Sequence, residues 1–236
     1  QKMINAILAI EDRRFFEHPG IDFIGIIRAA VKNFTGQSRE GASTITMQVA
    51  RNFFLSSEKT LKRKINEILL SLKIENKLTK EEILELYINQ IYLGQRSFGF
   101  SAAANTYFNK TLENLNLAEI ALLAGLPKAP SRYNPLSNPD LAIARQHTVL
   151  NNMYKYGFID RPSYILALEE HLDLVEKNIR YEIQADYVAE MVRKVLHDEY
   201  GNSIYTSGLK VITTIKKNNQ SVANQAVENG IINYMN

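Results

Sequence analysis

Three polar strings in this chain could each carry out a different part of one reaction. The first is Glu11-Asp12-Arg13-Arg14-Phe15-Phe16-Glu17-His18-Pro19-Gly20. A carboxylate at a helix end, beside a turn and flanked by aromatic rings, can sit in a cleft wall. Partial desolvation there raises its pKa toward that of a useful general base. The same string also reads as a charged, solvated helix terminus. The second is Gly41-Ala42-Ser43-Thr44-Ile45-Thr46-Met47-Gln48. Hydroxyls and free backbone N–H groups at a helix start can hold an anion such as a phosphate, or can cap a helix after a loop. The third is Lys59-Thr60-Leu61-Lys62-Arg63-Lys64-Ile65-Asn66-Glu67. Lys59, Arg63 and Glu67 are spaced by four and share a helix face, with Lys64 on its border. Together with Arg51 they make a cationic strip around one carboxylate, suited to neutralising a diphosphate leaving group. An ion-paired helix surface has the same pattern.

The elements that must position these strings are mostly helices. Apolar residues recur at helical spacing over Lys2–Glu11 and Phe23–Phe34, with Asp22 as the cap of the second. A polar loop precedes a helix that starts at Ser43 or Thr44 and runs to about Asn52. Lys59–Glu75 is strongly periodic. Thr79 and Glu82 form a capping box for a helix reaching about Ile91. Further helices are expected over Phe100–Phe108, Leu117–Leu126, Asp140–Tyr156, Arg161–His171, Ile183–Tyr200 and Lys217–Tyr234, with an extended stretch punctuated by Pro127, Pro130, Pro135 and Pro139. Gly208–Ile215 alternates and is rich in branched residues, so it is expected to be a strand. Composition shifts near residue 172, which places a domain at 1–175 and an incomplete second unit at 176–236.

The chain has 236 residues, 45% hydrophobic and 22% charged, values of a folded globular protein. A net charge of +3 gives no reason to expect a nucleic-acid partner. There is no cysteine, so disulfides and thiolate metal sites are excluded. None of the four histidines has metal-ligand spacing. The longest apolar runs are too short to span a bilayer. The chain begins at Gln1 and reads as a piece of a longer protein.

In order and spacing the three strings resemble the motifs of peptidoglycan glycosyltransferases, including the domain found in bifunctional, class A penicillin-binding proteins. The first matches E-D-x-x-F-x-x-H-x-G at every defined position, the second resembles G-G-S-T-I-T-Q-Q, and Arg63–Glu67 matches R-K-x-x-E. Lys80–Gly94 and Glu119–Pro135 resemble two further motifs of the family. The resemblance covers roughly residues 1–170. The tail from 208 is similar to the segment leading toward a transpeptidase domain. Three positions depart from the pattern: Ala42 stands for a glycine, Met47 for a glutamine and Asn109 for a glycine. Asparagine tolerates a left-handed backbone, whereas Met47 removes a polar group. Ser56-Ser57-Glu58-Lys59 fits the S-x-x-K acylation motif, but no S-D-N or K-T-G string accompanies it, and no β-lactam acylation is expected here.

The resemblance implies a mainly α, lysozyme-like fold with a small membrane-facing lobe, followed by a short α/β fragment. Phe23, Ile24, Ile27, Phe53, Phe54 and Leu55 are its candidates for the lobe, and core positions are the other reading. It implies polymerisation of lipid II onto a growing glycan strand, inhibited by moenomycin. Glu11 would be the general base and Glu67 the second carboxylate. Asp12, Ser43, Thr44, Gln48, Arg51, Lys59, Arg63 and Lys64 would lie at the substrate. A divalent cation, Mg or Mn, is expected near Glu67, and no organic cofactor. The resemblance places the enzyme on the outer face of a bacterial cytoplasmic membrane, held by an N-terminal helix outside this chain, with other cell-wall synthesis proteins as partners. A sugar hydroxyl is a poor nucleophile and needs a base, whereas a diphosphate leaves readily once its charge is neutralised. A glycan-cleaving hydrolase or lytic transglycosylase is the alternative. It needs an acid to protonate a poor leaving group, and it gives no role to the cationic helix.

Overall fold

The structure is a computed structural model that describes residues 1–34, 43–55, 60–175, 183–205, 207 and 209–235. The chain divides into two compact units, Gln1–Glu176 and Lys177–Asn236.

Among the described residues the first unit holds nine α-helices: α1 (Lys2–Glu11), α2 (Phe23–Phe34), α3 (Ile45–Phe54), α4 (Leu61–Glu75), α5 (Lys80–Gln90), α6 (Phe100–Phe108), α7 (Leu117–Gly125), α8 (Pro139–Lys155) and α9 (Arg161–Glu169). Their starts are chemically marked. Thr44, Thr60 and Asp160 each accept a hydrogen bond from a backbone N–H of the first turn. Thr79–Glu82 and Asn116–Glu119 are reciprocal capping boxes. Pro139 opens α8, where its missing N–H costs nothing. Asn109 ends α6 in the left-handed region (φ 52°) that the family's glycine would adopt freely. Asp22 sits just before α2, and its carboxylate pairs with Arg14 at 3.0 Å.

α7 is apolar on every side and is accordingly the centre of the core. It packs against α1, α8, α6 and α9, while α3 packs against α4 and α5. α1 and α3 therefore belong to neighbouring layers, and the C-terminal end of α1 meets α3 where these layers join. Each buried aliphatic side chain, such as Ile7, Leu122 or Leu123, stabilises this arrangement by roughly 1.5–3 kcal/mol. By contrast Phe23, Ile24 and Ile27 of α2, and Phe53 and Phe54 at the end of α3, stand exposed. Leu55 is half-buried.

The second unit contains α10 (Asp186–Tyr200) and α11 (Lys217–Met235). The strand expected over Gly208–Ile215 is not formed. Residues 209–216 carry no regular structure, and Leu209, Val211 and Ile212 are exposed. A strand exists only when its backbone groups find a partner ladder, and the described residues provide none. The first unit is thus mainly α as expected, and the second is helical without the β element.

Candidate active site

Glu11 is the last residue of α1. Its side chain is only 11% exposed. Gln48, on the first turns of α3, donates from Nε2 to Glu11 Oε2 at 2.8 Å. Arg145 of α8 brings Nη2 to 3.7 Å from Glu11 Oε1. Burial pushes the Glu11 carboxyl above its ordinary range, and the Gln48 hydrogen bond and the charges of Arg145, Lys128 and Arg51 only partly offset this. The carboxylate at the end of α1 is therefore desolvated, with a raised pKa.

Asp12 turns the other way. Its carboxylate lies 2.9 and 3.0 Å from His18 Nε2 and accepts the backbone N–H of Ile45 at 3.0 Å. It ties the loop after α1 to the start of α3 and so fixes Glu11 opposite Gln48. Thr44 caps α3 from a buried position, accepting from Met47 N–H and donating to Gly20 O at 2.6 Å. Of the two readings of the second string, the cap is the one its hydroxyl performs. Met47 faces the core at 2% exposure, so its departure from the motif removes no polar group from the cleft.

The cations gather on α3 and α4. Glu67 is 1% exposed, and its two oxygens pair with Arg63 and with Lys64, the latter at 3.0 Å. Lys64 also donates to Ser43 Oγ at 2.7 Å. Burial, together with the neighbouring Arg51 and Arg63, lowers the Lys64 ammonium below its ordinary range. Arg51 thus acts electrostatically on both Glu11 and Lys64 and joins the two halves of the site. Arg51 also lines a pocket of about 380 Å³ with Asn52, Phe53, Gln90, Ile91, Tyr92, Phe98, Pro127 and Pro130. Lys59 and Gly41-Ala42 lie outside the described residues, as does the Ser56–Lys59 string.

The residues around Glu67 do not fit a protein-held divalent ion. Glu67 has both oxygens engaged by cations. Among the described residues no group of three or more His, Asp and Glu converges.

Sequence reasoning missed Arg145, Lys128 and Tyr87. Arg145 lies across the end of α7, donating from Nε to Gly125 O at 3.2 Å, with its guanidinium 5.7 Å from the Tyr133 ring centre. A side chain at Gly125 would meet Arg145 Cγ at 2.9 Å, so glycine makes room for it. Tyr87 is buried on α5, and burial followed by the charge of Glu11 raises its phenol well above the ordinary range. Arg145 is 134 residues from Glu11 in the chain, and no local pattern announces that meeting. Lys128 falls within a string that resembles a family motif, which was the available signal.

A buried carboxylate of raised pKa at the end of α1, with Arg51, Arg63 and Lys64 on α3 and α4 of a mainly helical frame, suits a glycosyl-transferring enzyme. The chain belongs to the transglycosylase family: the family model described as Transglycosylase matches residues 1–154. It is a peptidoglycan glycosyltransferase by that membership. Penicillin-binding protein 1A of Neisseria meningitidis (serogroup A) is 52% identical over 98% of this chain, and that of Escherichia coli (strain K12) is 48% identical over 99%. The chain spans 29% and 28% of the length of these relatives. A crystal structure of penicillin-binding protein 1A from Haemophilus influenzae matches 80% of this chain and 25% of its own, with 37% identity and a TM-score of 0.58.

Proposed function

We propose that the chain polymerises lipid II, with Glu11 as the general base. Glu11 takes the proton from the 4-hydroxyl of the N-acetylglucosamine of one lipid II. That oxygen attacks C1 of the N-acetylmuramic acid at the reducing end of the growing strand. Undecaprenyl diphosphate departs, and the anomeric centre inverts. Arg51, Arg63 and Lys64 receive the developing charge of the diphosphate. Lys59 is assigned the same task by resemblance. Glu67 holds Arg63 and Lys64 in place, Gln48 and Arg145 orient Glu11, and Ser43 is presented to the substrate beside Lys64. We assign any divalent cation to the substrate's own diphosphate and not to a protein cage.

The observation that carries this reading is that α3, whose Gln48 bonds the buried Glu11, also carries Arg51 and packs against α4 with its Arg63 and Lys64. A buried carboxylate and a group of cations on adjoining helices are the pairing that transfer from a diphosphate requires. The raised carboxyl of Glu11 would also suit the acid of a glycan-cleaving enzyme. Such an enzyme needs a second free carboxylate, and here Asp12 is committed to His18 and Ile45 while Glu67 is committed to Arg63 and Lys64.

No helix of the described residues is long and apolar enough to cross a membrane. The exposed Phe23, Ile24, Ile27, Phe53 and Phe54 are the side chains we assign to the bilayer that carries the lipid substrate. We place the enzyme on the outer face of the cytoplasmic membrane, with an N-terminal anchor and other cell-wall synthesis proteins beside it. Incubation with fluorescent lipid II in detergent and magnesium, with products resolved on a gel, tests the reading. A polymer ladder that disappears in Glu11→Gln and with moenomycin is expected. Shortening of preformed glycan in place of a ladder would overturn it in favour of cleavage.

A further inference from the structure

Lys80 opens α5, immediately after the cap Thr79. A cation at the positive end of a helix is misplaced unless neighbouring groups take it up. Here they do. Its Nζ donates to His18 O at 2.6 Å and to Glu75 Oε1 at 2.7 Å, and lies 4.5 Å from the centre of the Phe15 ring. The side chain is only 19% exposed and that of Glu75 only 10%. The same Glu75 oxygen accepts from Thr46 Oγ1 of α3 at 2.5 Å.

The loop held in this way carries the first motif. His18 reaches Asp12 with its ring and Lys80 with its carbonyl. Gly20 O accepts from Thr44. Gly20 itself adopts φ +86°, and a Cβ there would meet Glu75 Cγ at 2.9 Å and Ser71 O at 3.1 Å, so the loop lies directly on the end of α4. One ammonium group therefore bonds the loop behind Glu11 and the end of α4, and Glu75 relays it to the helix that presents Gln48.

We propose that Lys80 is a positioning residue for glycosyl transfer, holding Glu11 and Gln48 in register with the cation strip on α4. It touches no reacting atom. Its effect passes through the His18 loop and through Glu75–Thr46. The inference rests on the polymerase reading above.

The chain has no cysteine, which allows a site-specific test. Lys80→Cys is prepared in the full chain, and part of it is alkylated with 2-bromoethylamine. This restores a terminal ammonium at nearly the length of lysine. A second part receives iodoacetamide, which adds a neutral amide. Lipid II polymerisation is followed for each beside wild type and Glu11→Gln. The expected result for Lys80→Cys is a melting profile that stays cooperative and a kcat lower by about 10- to 100-fold, the scale of a small misplacement of reacting groups. KM should change much less. The acid limb of the rate profile should move to higher pH as the Gln48–Glu11 bond loosens. Aminoethylation should recover most of kcat, and the neutral amide should not. Unchanged turnover in Lys80→Cys, equal recovery with both reagents, or loss of the fold would each overturn the proposal, the last because the role would then be stability. A wild type that makes no polymer would sink the polymerase reading and this inference with it. A polymerising wild type beside an unaffected Lys80→Cys would sink this inference alone.

Discussion

Replacing Glu11 by glutamine should abolish turnover and raise stability together. Burial holds the Glu11 carboxyl above its ordinary value of 4.5, despite Gln48, Arg145, Lys128 and Arg51. The folded chain therefore binds this proton more tightly than the unfolded chain does. Below the unfolded pKa both states are protonated, and the charge costs nothing. As pH rises the unfolded chain ionises first, so stability falls until the folded pKa is passed, and the cost stays constant above it. Every tenfold difference in proton affinity between the folded and unfolded chain costs about 1.4 kcal/mol, and 1 kcal/mol moves the melting point of a domain of this size by roughly 2–4 °C. Glutamine mimics the protonated form and keeps an acceptor for Gln48. Glu11→Gln should therefore melt a few degrees above wild type at pH 7–8, with the gap closing below pH 4. Loss of the base should lower kcat by about 10²–10⁴-fold. Calorimetric melts from pH 3 to 8, paired with the lipid II gel assay, check both. A variant that melts lower than wild type at neutral pH, or a gap that ignores pH, would refute the assignment of Glu11 as a desolvated base.

Arg145→Gln removes a charge that draws the Glu11 pKa downward, so the acid limb of polymerisation should shift to higher pH. An unmoved limb in a rate–pH series would separate Arg145 from the base. Met47→Gln restores the motif letter but buries an amide in a 2% exposed position. It should destabilise the fold by about 1–3 kcal/mol with no gain in turnover, as read from melts and initial rates. Lys64→Ala should weaken binding of the diphosphate substrate about tenfold, the worth of one charge-assisted contact near 1.4 kcal/mol. Its melting point should move little, and a binding titration beside a melt tests this. Ile27→Glu on the exposed face of α2 should reduce sedimentation with anionic vesicles while leaving helicity intact, and unchanged vesicle binding would remove α2 from the membrane surface.

Much of the helical frame was legible because local chemistry decides it. Thr79 with Glu82, and Asn109 at the end of α6, announce a start and a stop within three residues of themselves. Glu11, Gln48, Arg63 and Lys64 were visible because helical spacing and motif order put them on known faces. Residues 209–216 misled because alternation signals only a preference for a pleated surface, and a ladder partner must come from elsewhere. Thr44 left two readings open because a helix start offers the same groups to an anion and to its own cap, and only the position of Gly20 O decided between them. Arg145 stayed silent for a different reason, and Lys80 and Tyr87 lay in a string that resembles a family motif but gave no sign of their partners. Each acts on the α1 end across a long loop closure, and pairwise meetings of that kind are properties of packing and not of any window of sequence.

Three charged groups of the site, Glu11, Arg63 and Lys64, stand where the helix dipoles oppose them, whereas Arg51 in the last turn of α3 does not. Glu11 stands at the C-terminal end of α1, where the helix dipole is negative and opposes a carboxylate. Arg63 and Lys64 stand in the first turns of α4, where the dipole is positive and opposes a cation. Both Glu11 and Lys64 are pushed toward their neutral forms by burial. The dipoles alone would favour the opposite charges, and it is the buried Glu67 that holds Arg63 and Lys64 in place. On the polymerase reading, the carboxylate is ready to accept a proton and the cations of α4 favour an arriving diphosphate. Of the electrostatic stability given up in this way, only the part regained more fully in the transition state than in the bound substrate would accelerate transfer.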